Sequence, residues 1–212
     1  PLSKSQDYGK VYIIDNGSSD GTQDLIKIKY PDFILYQSKT NLGFGKANNI
    51  GLKMALDDGC THFLLLNQDA SVSWEDVYVL AELQNLNPQY GILSPVHLYK
   101  KNILDKKFSQ AISNPENANF LPDFLIKYST THILQVTNIP AAIWLISKKC
   151  IEEVGIFNPM FYHYGEDTNY TQRCRYHEIK IGVVPIVSGY HFREQKTSSI
   201  ENNSFEIILQ RT

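Results

Sequence analysis

Four apolar runs in this chain stop on side chains that can accept protons, bind cations or hold a nucleotide. Asp15 and Asn16 follow VYII, Asn67, Gln68 and Asp69 follow HFLLL, Glu166 and Asp167 follow FYHYG, and His191 follows VSGY. In open α/β sheets, ligands occupy the crevice beyond the carboxyl ends of the strands, where a carboxylate and a carboxamide are placed to meet a nucleotide base or ribose. Turn chemistry reads the first site differently. Asn-Gly and Asp-Gly are ordinary turn dipeptides, and Ser19 or Asp20 could cap a helix beginning near Thr22.

Asn67 and Asp69 stand two residues apart, so in an extended segment their side chains share one side of the chain. Hard divalent cations such as Mg²⁺ and Mn²⁺ bind through one or two carboxylates plus substrate phosphates, and Asp69 suits that role. The alternative is an Asx turn or a helix cap ahead of Ser73. Glu166 and Asp167 precede a polar helix, where acids are common for dipole reasons alone. The aromatic approach FYHY could instead wall off solvent and leave a carboxylate able to take a proton from a hydroxyl. His191 could complete a metal site or be structural.

The surrounding pattern supplies the elements that must position these groups. Strands are expected at residues 10–14, 33–37, 62–66, 91–96, 141–147, 181–185 and 186–188, and helices at 22–30, 41–57, 74–86, 148–154 and from Asp167 to His177. Pro31 stops the first helix, Gly43 and Gly45 open the second, Ser73 starts the third and Gly155 ends the fourth. Strand-helix alternation argues for an α/β fold with a mainly parallel central sheet flanked by helices. Residues 98–135 lose this rhythm and read as an acceptor-side insertion or a pair of antiparallel strands.

The bulk composition narrows the function classes. With 212 residues and 42% hydrophobic content, the chain fits one sizeable domain over residues 1–212. A net charge of −2 gives no global attraction to nucleic acid or to an anionic membrane. Cys60, Cys150 and Cys174 are widely spaced without a CxxC, which fits structural thiols of a cytosolic protein. No apolar run approaches the ~20 residues of a membrane span.

Taken in series, IIDNGSSDGT, NLGFGKANNIGL, LLLNQDASV, FYHYGEDTNYTQRCR and GYH resemble a family 2 glycosyltransferase of the rhamnosyltransferase-like branch. The resemblance implies a GT-A nucleotide-sugar-binding fold and an inverting hexosyltransferase that uses a UDP- or dTDP-sugar and a saccharide or lipid-linked acceptor. A role in cell-surface polysaccharide synthesis follows from it. By the same resemblance, Asp15 and Asn16 contact base or ribose, and Asn41, Gly43, Lys46 and Asn48 lie beside the nucleotide. Asn67, Gln68 and Asp69 match the DxD motif, with Asn67 in place of its first aspartate. Asn67 and Gln68 would face the donor, while Asp69 and His191 would hold Mg²⁺ or Mn²⁺. Asp167 matches the catalytic base, with Glu166 beside it.

The family pattern also implies a strand and helix ahead of the first strand seen here, and only ten residues stand there, so that element is expected to be absent. An unpaired sheet edge or a changed strand order would follow. This departure favours the alternative of a truncated or non-catalytic glycosyltransferase-like binding module; the retained Asp69, Asp167 and His191 favour an enzyme. A nucleotidyltransferase would need a basic glycine-rich phosphate loop, and residues 41–47 offer only Lys46. The expected location is cytoplasmic, with peripheral attachment to the inner face of the cell membrane left open, as is homo-oligomerisation.

Overall fold

The chain is a strand-helix succession whose middle turns back on itself. In the computed structural model, residues 9–127, 133–162 and 164–192 are described; His163 of the aromatic approach and residues 128–132 of the irregular middle lie outside them. The first part comprises β1 (Tyr12–Asp15), α1 (Thr22–Lys29), β2 (Ile34–Gln37), α2 (Phe44–Asp57), β3 (His62–Leu66), β4 (Ala70–Val72), α3 (Trp74–Leu86) and β5 (Tyr90–Lys100). β6 (Ile103–Leu104), α4 (Lys106–Ile112), a 3-10 turn (Pro115–Asn117), α5 (Phe120–Lys127) and β7 (Leu134–Val136) follow. The chain continues with β8 (Ile143–Ser147), α6 (Lys148–Val154), α7 (Glu166–Tyr176) and β9 (Lys180–His191).

Local chemistry explains several boundaries. Ser73 caps α3 by accepting from the Asp76 N–H at 3.0 Å, and Ser147 caps α6 by accepting from the Cys150 N–H at 3.2 Å. α1 carries Asp24 in its first turn and Lys27 and Lys29 in its last, matching the helix dipole. In the middle, Asn102 takes φ 61° between Lys100 and Ile103, a left-handed turn conformation that asparagine tolerates. That turn folds β6 back antiparallel on β5, so the pair of antiparallel strands considered for the middle does form there. The rest of the middle is helical, with α4 capped by Asp105.

The expectation of a mainly parallel sheet is corrected. One two-stranded sheet pairs β1 with β2 in parallel, and a seven-stranded sheet runs β3-β8-β5-β9-β4, with β6 on β5 and β7 on β9. In the larger sheet only β5 and β9 pair in parallel. β3 and β5, joined through α3, run the same way, as a strand-helix-strand unit should. β8 inserts between them in the opposite direction, because the excursion after β5 returns the chain from the far end of the sheet. Apolar periodicity reports burial and not strand direction. Among the described residues β1 pairs only with β2 and β3 only with β8, while α2 packs on both β1 and β3.

Helices cover both faces of the larger sheet, which is why IWLIS of β8 reads as a continuous apolar run. Trp144 and Ile146 enter one cluster with Ile92, Phe157 and Tyr170, and Leu145 enters another with Leu80, Leu93, Val184 and Val187. Fully burying each such side chain contributes roughly 1.5–3 kcal/mol. β9 joins the two strands expected at its positions into one. Its register against β5 jumps from Pro95↔Val184 to Val96↔Ser188, leaving Pro185, Ile186 and Val187 as a bulge. Neither Pro95 nor Pro185 can donate to the ladder, so the irregularity falls where two donors are already missing.

Candidate active site

The end of β3 and the end of β9 meet through β4. The Ala70 N–H donates to the Asn67 carbonyl at 3.0 Å, closing a tight turn with Gln68 and Asp69 at its corner. β4 then pairs antiparallel with β9, Ala70 opposite His191, and the Phe192 N–H donates to the Asp69 carbonyl at 2.7 Å. This ladder brings Asp69 Oδ1 to 3.4 Å from His191 Nε2. The turn corrects the extended geometry expected for Asn67 to Asp69. The helix-cap alternative fails as well, since Ser73 caps α3 with its own hydroxyl.

The imidazole of His191 is 1% exposed and the Asp69 side chain 40%, so one is fixed in the protein and the other faces solvent. Among the described residues no cluster of three or more His, Cys, Asp or Glu could hold a metal alone. The Asp69 carboxylate fits Mg²⁺ or Mn²⁺ when substrate oxygens complete the shell, and an imidazole nitrogen beside it suits Mn²⁺ better than the oxygen-preferring Mg²⁺.

Around the end of β1 and the start of α2, several of the residues expected to meet a nucleotide are engaged in holding loops. Asp15 is buried, and its carboxylate accepts from the Ser18 N–H at 3.3 Å and from Gln23 Nε2 at 2.5 Å. Asn16 Oδ1 accepts from the Leu42 N–H at 2.7 Å, and its Nδ2 donates to Asn41 Oδ1 at 3.0 Å. Asn41 Oδ1 in turn accepts from the Gly43 N–H at 2.8 Å. Asn16 and Asn41 therefore lock the loop after β1 to the loop before α2. Lys46 and Gln68 are exposed, whereas Asn48 donates to the Phe44 carbonyl of its own helix at 3.0 Å. Asn49, which sequence reasoning passed over, donates to the Phe157 carbonyl at 2.8 Å and accepts from the Phe157 N–H at 2.9 Å.

The two acids at the start of α7 face different surroundings. Glu166 is buried, with Oε2 lacking a hydrogen-bond partner among the described residues. Asp167 is half-buried and accepts from the Thr168 N–H at 2.7 Å. The expected aromatic wall is corrected: Tyr162 and Tyr164 are 51% and 80% exposed, so they do not seal the site. Burial at this end of α7 comes from below, where Phe157 stacks between Phe44, Trp144 and Tyr170. Tyr162 Oη donates to the Asn41 carbonyl at 3.2 Å, and Lys107 Nζ lies 5.2 Å from the Tyr164 ring centroid. The acidic segment is thereby tied to the loop before α2 and to α4.

Asp105 also escaped the sequence reading. It is buried, caps α4 by accepting from the Phe108 N–H at 2.8 Å, and puts Oδ2 3.4 Å from His191 Nδ1. The available signal was an aspartate three residues ahead of Phe108, a helix-start pattern hidden within a lysine-rich stretch.

Comparison with known proteins agrees with this architecture. The family model described as Glycosyl transferase family 2 matches residues 5–154. The low-salt glycan biosynthesis hexosyltransferase Agl10 of Haloferax volcanii is 25% identical over 93% of the chain. Poly-beta-1,6-N-acetyl-D-glucosamine synthase of Staphylococcus aureus is 31% identical over 70% of it. The chain spans 63% and 35% of the lengths of these relatives. Among solved structures, GalNAc-T7 with UDP, GalNAc and Mn²⁺ superposes with TM-score 0.61 at 12% identity, covering 88% of this chain and 38% of that one. S. aureus TarS 1-349 with UDP superposes with TM-score 0.60 at 16% identity, covering 87% of this chain and 51% of that one. These two likenesses are of fold.

Proposed function

We propose, from the premise that this chain belongs to glycosyl transferase family 2, that it transfers a hexose or deoxyhexose from a nucleoside-diphosphate sugar to a saccharide or lipid-linked acceptor, with inversion, for surface polysaccharide. The observation that carries this reading is the β4–β9 pairing, which sets the carboxylate of Asp69 against the imidazole of His191 at the carboxyl end of β3. A nucleoside diphosphate is the ligand class whose oxygens would complete such a pair.

In this reading Asp15, Asn16 and Asn41 shape the nucleotide crevice by fixing its loops, and their remaining lone pairs and backbone groups face base and ribose. Gly43, Lys46 and Asn48 line the start of α2, and Asn67 and Gln68 lie along the donor as neutral partners. Asp69 and His191 would hold Mg²⁺ or Mn²⁺, which when bound neutralises charge on the departing diphosphate. Asp167, the more exposed acid of α7, accepts the proton of the acceptor hydroxyl as that oxygen bonds to the anomeric carbon. The bond from that carbon to the diphosphate oxygen breaks in the same displacement. Glu166 supports the α7 terminus from within.

Calorimetric titration with UDP and with dTDP, with and without Mn²⁺, tests this reading. Saturable binding that needs Mn²⁺ and is lost in Asp69→Ala is the expected result, and the better ligand identifies the base. A folded chain that binds neither nucleotide under any condition refutes the transferase reading in favour of a glycosyltransferase-like module without a donor site.

A further inference from the structure

The imidazole of His191 lies between two carboxylates, and only one of them has a part in the reading above. Nε2 is 3.4 Å from Asp69 Oδ1, and Nδ1 is 3.4 Å from Asp105 Oδ2. Asp105 is itself closely held. It is 3% exposed, its N–H donates to the His97 carbonyl at 2.9 Å, and its Oδ1 accepts from the Phe108 N–H at 2.8 Å. The carboxylate thus divides its work: one oxygen caps α4 and the other faces the histidine ring.

We propose that Asp105 is a positioning residue for the cation site, holding His191 with its proton on Nδ1 and its Nε2 lone pair turned toward Asp69. The inference deepens the transferase reading and rests on it for the cation's identity. Asp69 stands as close to Nε2 as Asp105 does to Nδ1, so with a cation held between Asp69 and Nε2 the ring would offer that cation its lone pair and its proton, at Nδ1, to the Asp105 carboxylate, which only accepts. Histidines that ligate metals commonly donate their other N–H to a carboxylate, which fixes ring orientation and tautomer together. Here the neighbouring framework sets the carboxylate opposite the ring nitrogen at ion-pair distance. β9 holds His191 opposite Ala70 of β4, while β5 pairs with β9 beside it and supplies the His97 carbonyl that seats Asp105.

The division of labour between the two oxygens makes the proposal separable from helix capping. In Asp105→Asn the side-chain oxygen can still cap α4, and the amide NH₂ is then left facing Nδ1. A donor at that place requires a bare Nδ1, so the proton moves to Nε2 and the lone pair no longer faces Asp69. Asp105→Ser retains a cap hydroxyl but lacks an atom to reach the ring.

Nitrogen-15 NMR of the histidine rings in metal-free Asp69→Ala, which leaves Asp105 facing the ring without the second carboxylate, reads the tautomer directly, with His191 assigned by loss of its signals when His191→Gln is added. Mn²⁺ titration in the presence of UDP reads the consequence. The expected result is an Nδ1–H tautomer in Asp69→Ala, an Nε2–H tautomer when Asp105→Asn is added to it, and 10–100-fold weaker Mn²⁺ binding in Asp105→Asn alone. Asp105→Ser should lose the Nδ1–H preference and also bind Mn²⁺ more weakly. An Nε2–H tautomer in Asp69→Ala overturns the proposal, as do Asp105 variants that leave both that tautomer and the native Mn²⁺ affinity unchanged; Asp105 would then only cap α4. Should the native chain bind neither UDP nor dTDP, with or without Mn²⁺, the transferase reading fails, and the tautomer comparison alone still decides the role of Asp105.

Discussion

A side chain at Gly43 would collide with the carbonyl oxygen of Tyr162. Gly43 also has φ 82° and ψ 165°, a region open almost only to glycine. The start of α2 and the segment leading to α7 therefore approach each other backbone to backbone, and the Tyr162 hydroxyl adds a bond to Asn41 across the same gap.

Gly43→Ala should consequently cost about 1–3 kcal/mol in backbone strain and displace the approach to α7 as well. Gly59→Ala is the control, because Gly59 has φ 80° yet nothing lies within 4 Å of a Cβ there. Urea unfolding should register both changes, while UDP affinity should fall further in Gly43→Ala. Equal affinities in the two variants would mean that the contact with Tyr162 does not shape the nucleotide crevice.

The reciprocal hydrogen bonds between Asn49 and the backbone of Phe157 predict a second loss of stability. Asn49→Ala strands one N–H and one carbonyl, at about 1–3 kcal/mol for each group left unsatisfied. Asn49→Asp should not restore stability, since its carboxylate accepts from the Phe157 N–H but opposes the Phe157 carbonyl. Chemical denaturation of the three chains checks the order: native most stable, both variants well below it.

These contacts show where the sequence was legible. The strand at residues 141–147 was apparent because β8 is buried on both faces, and that at residues 62–66 because its run is almost wholly apolar although its burial alternates. The strand direction was hidden, because burial does not encode it, and β8 enters antiparallel after a long helical excursion. β4 is three residues long, too short for any periodicity, yet it is the element that joins Asp69 to His191. Asp69 was singled out by its spacing to Asn67 and His191 by its place after a strand, each with a structural alternative, and the resemblance of serial motifs implied that the two act together. Asp105 was missed because its role depends on a distant strand, and the lysines around it read as a solvated face.

A third prediction concerns pH. Asp58 accepts from the Tyr12 hydroxyl and pairs with Lys10 at 2.9 Å, and these partners, Tyr12 first, hold its carboxyl below the ordinary carboxylate range. A group depressed in the folded state contributes stability that is present above its unfolded pKa, roughly 3.9, and is lost as pH falls through the folded value. Asp58→Asn should accordingly lower Tm at pH 6–7, and its difference from the native chain should shrink as pH falls below the ordinary carboxylate range. A Tm difference that stays constant from pH 7 down to pH 3 would show that the carboxylate charge does not matter to the fold.

The two adjacent acids of α7 allow the transferase chemistry to be assigned to one of them. Asp167→Asn keeps a side-chain oxygen for the Thr168 N–H, so the helix terminus should be undisturbed. If Asp167 takes the acceptor proton, the variant should transfer sugar ~10²–10⁴-fold more slowly while binding UDP as the native chain does. Glu166→Gln alters a buried group beneath Gly45, and its effect should fall first on Tm. Nucleoside diphosphate release, measured alongside UDP affinity and Tm for both variants, separates these roles. A large rate loss in Glu166→Gln at unchanged Tm, with Asp167→Asn near native, would reverse the assignment and make the buried acid the base. Asp167 is half-buried and Glu166 buried, so in the proposed reaction an acceptor hydroxyl arriving from solvent would meet Asp167 first.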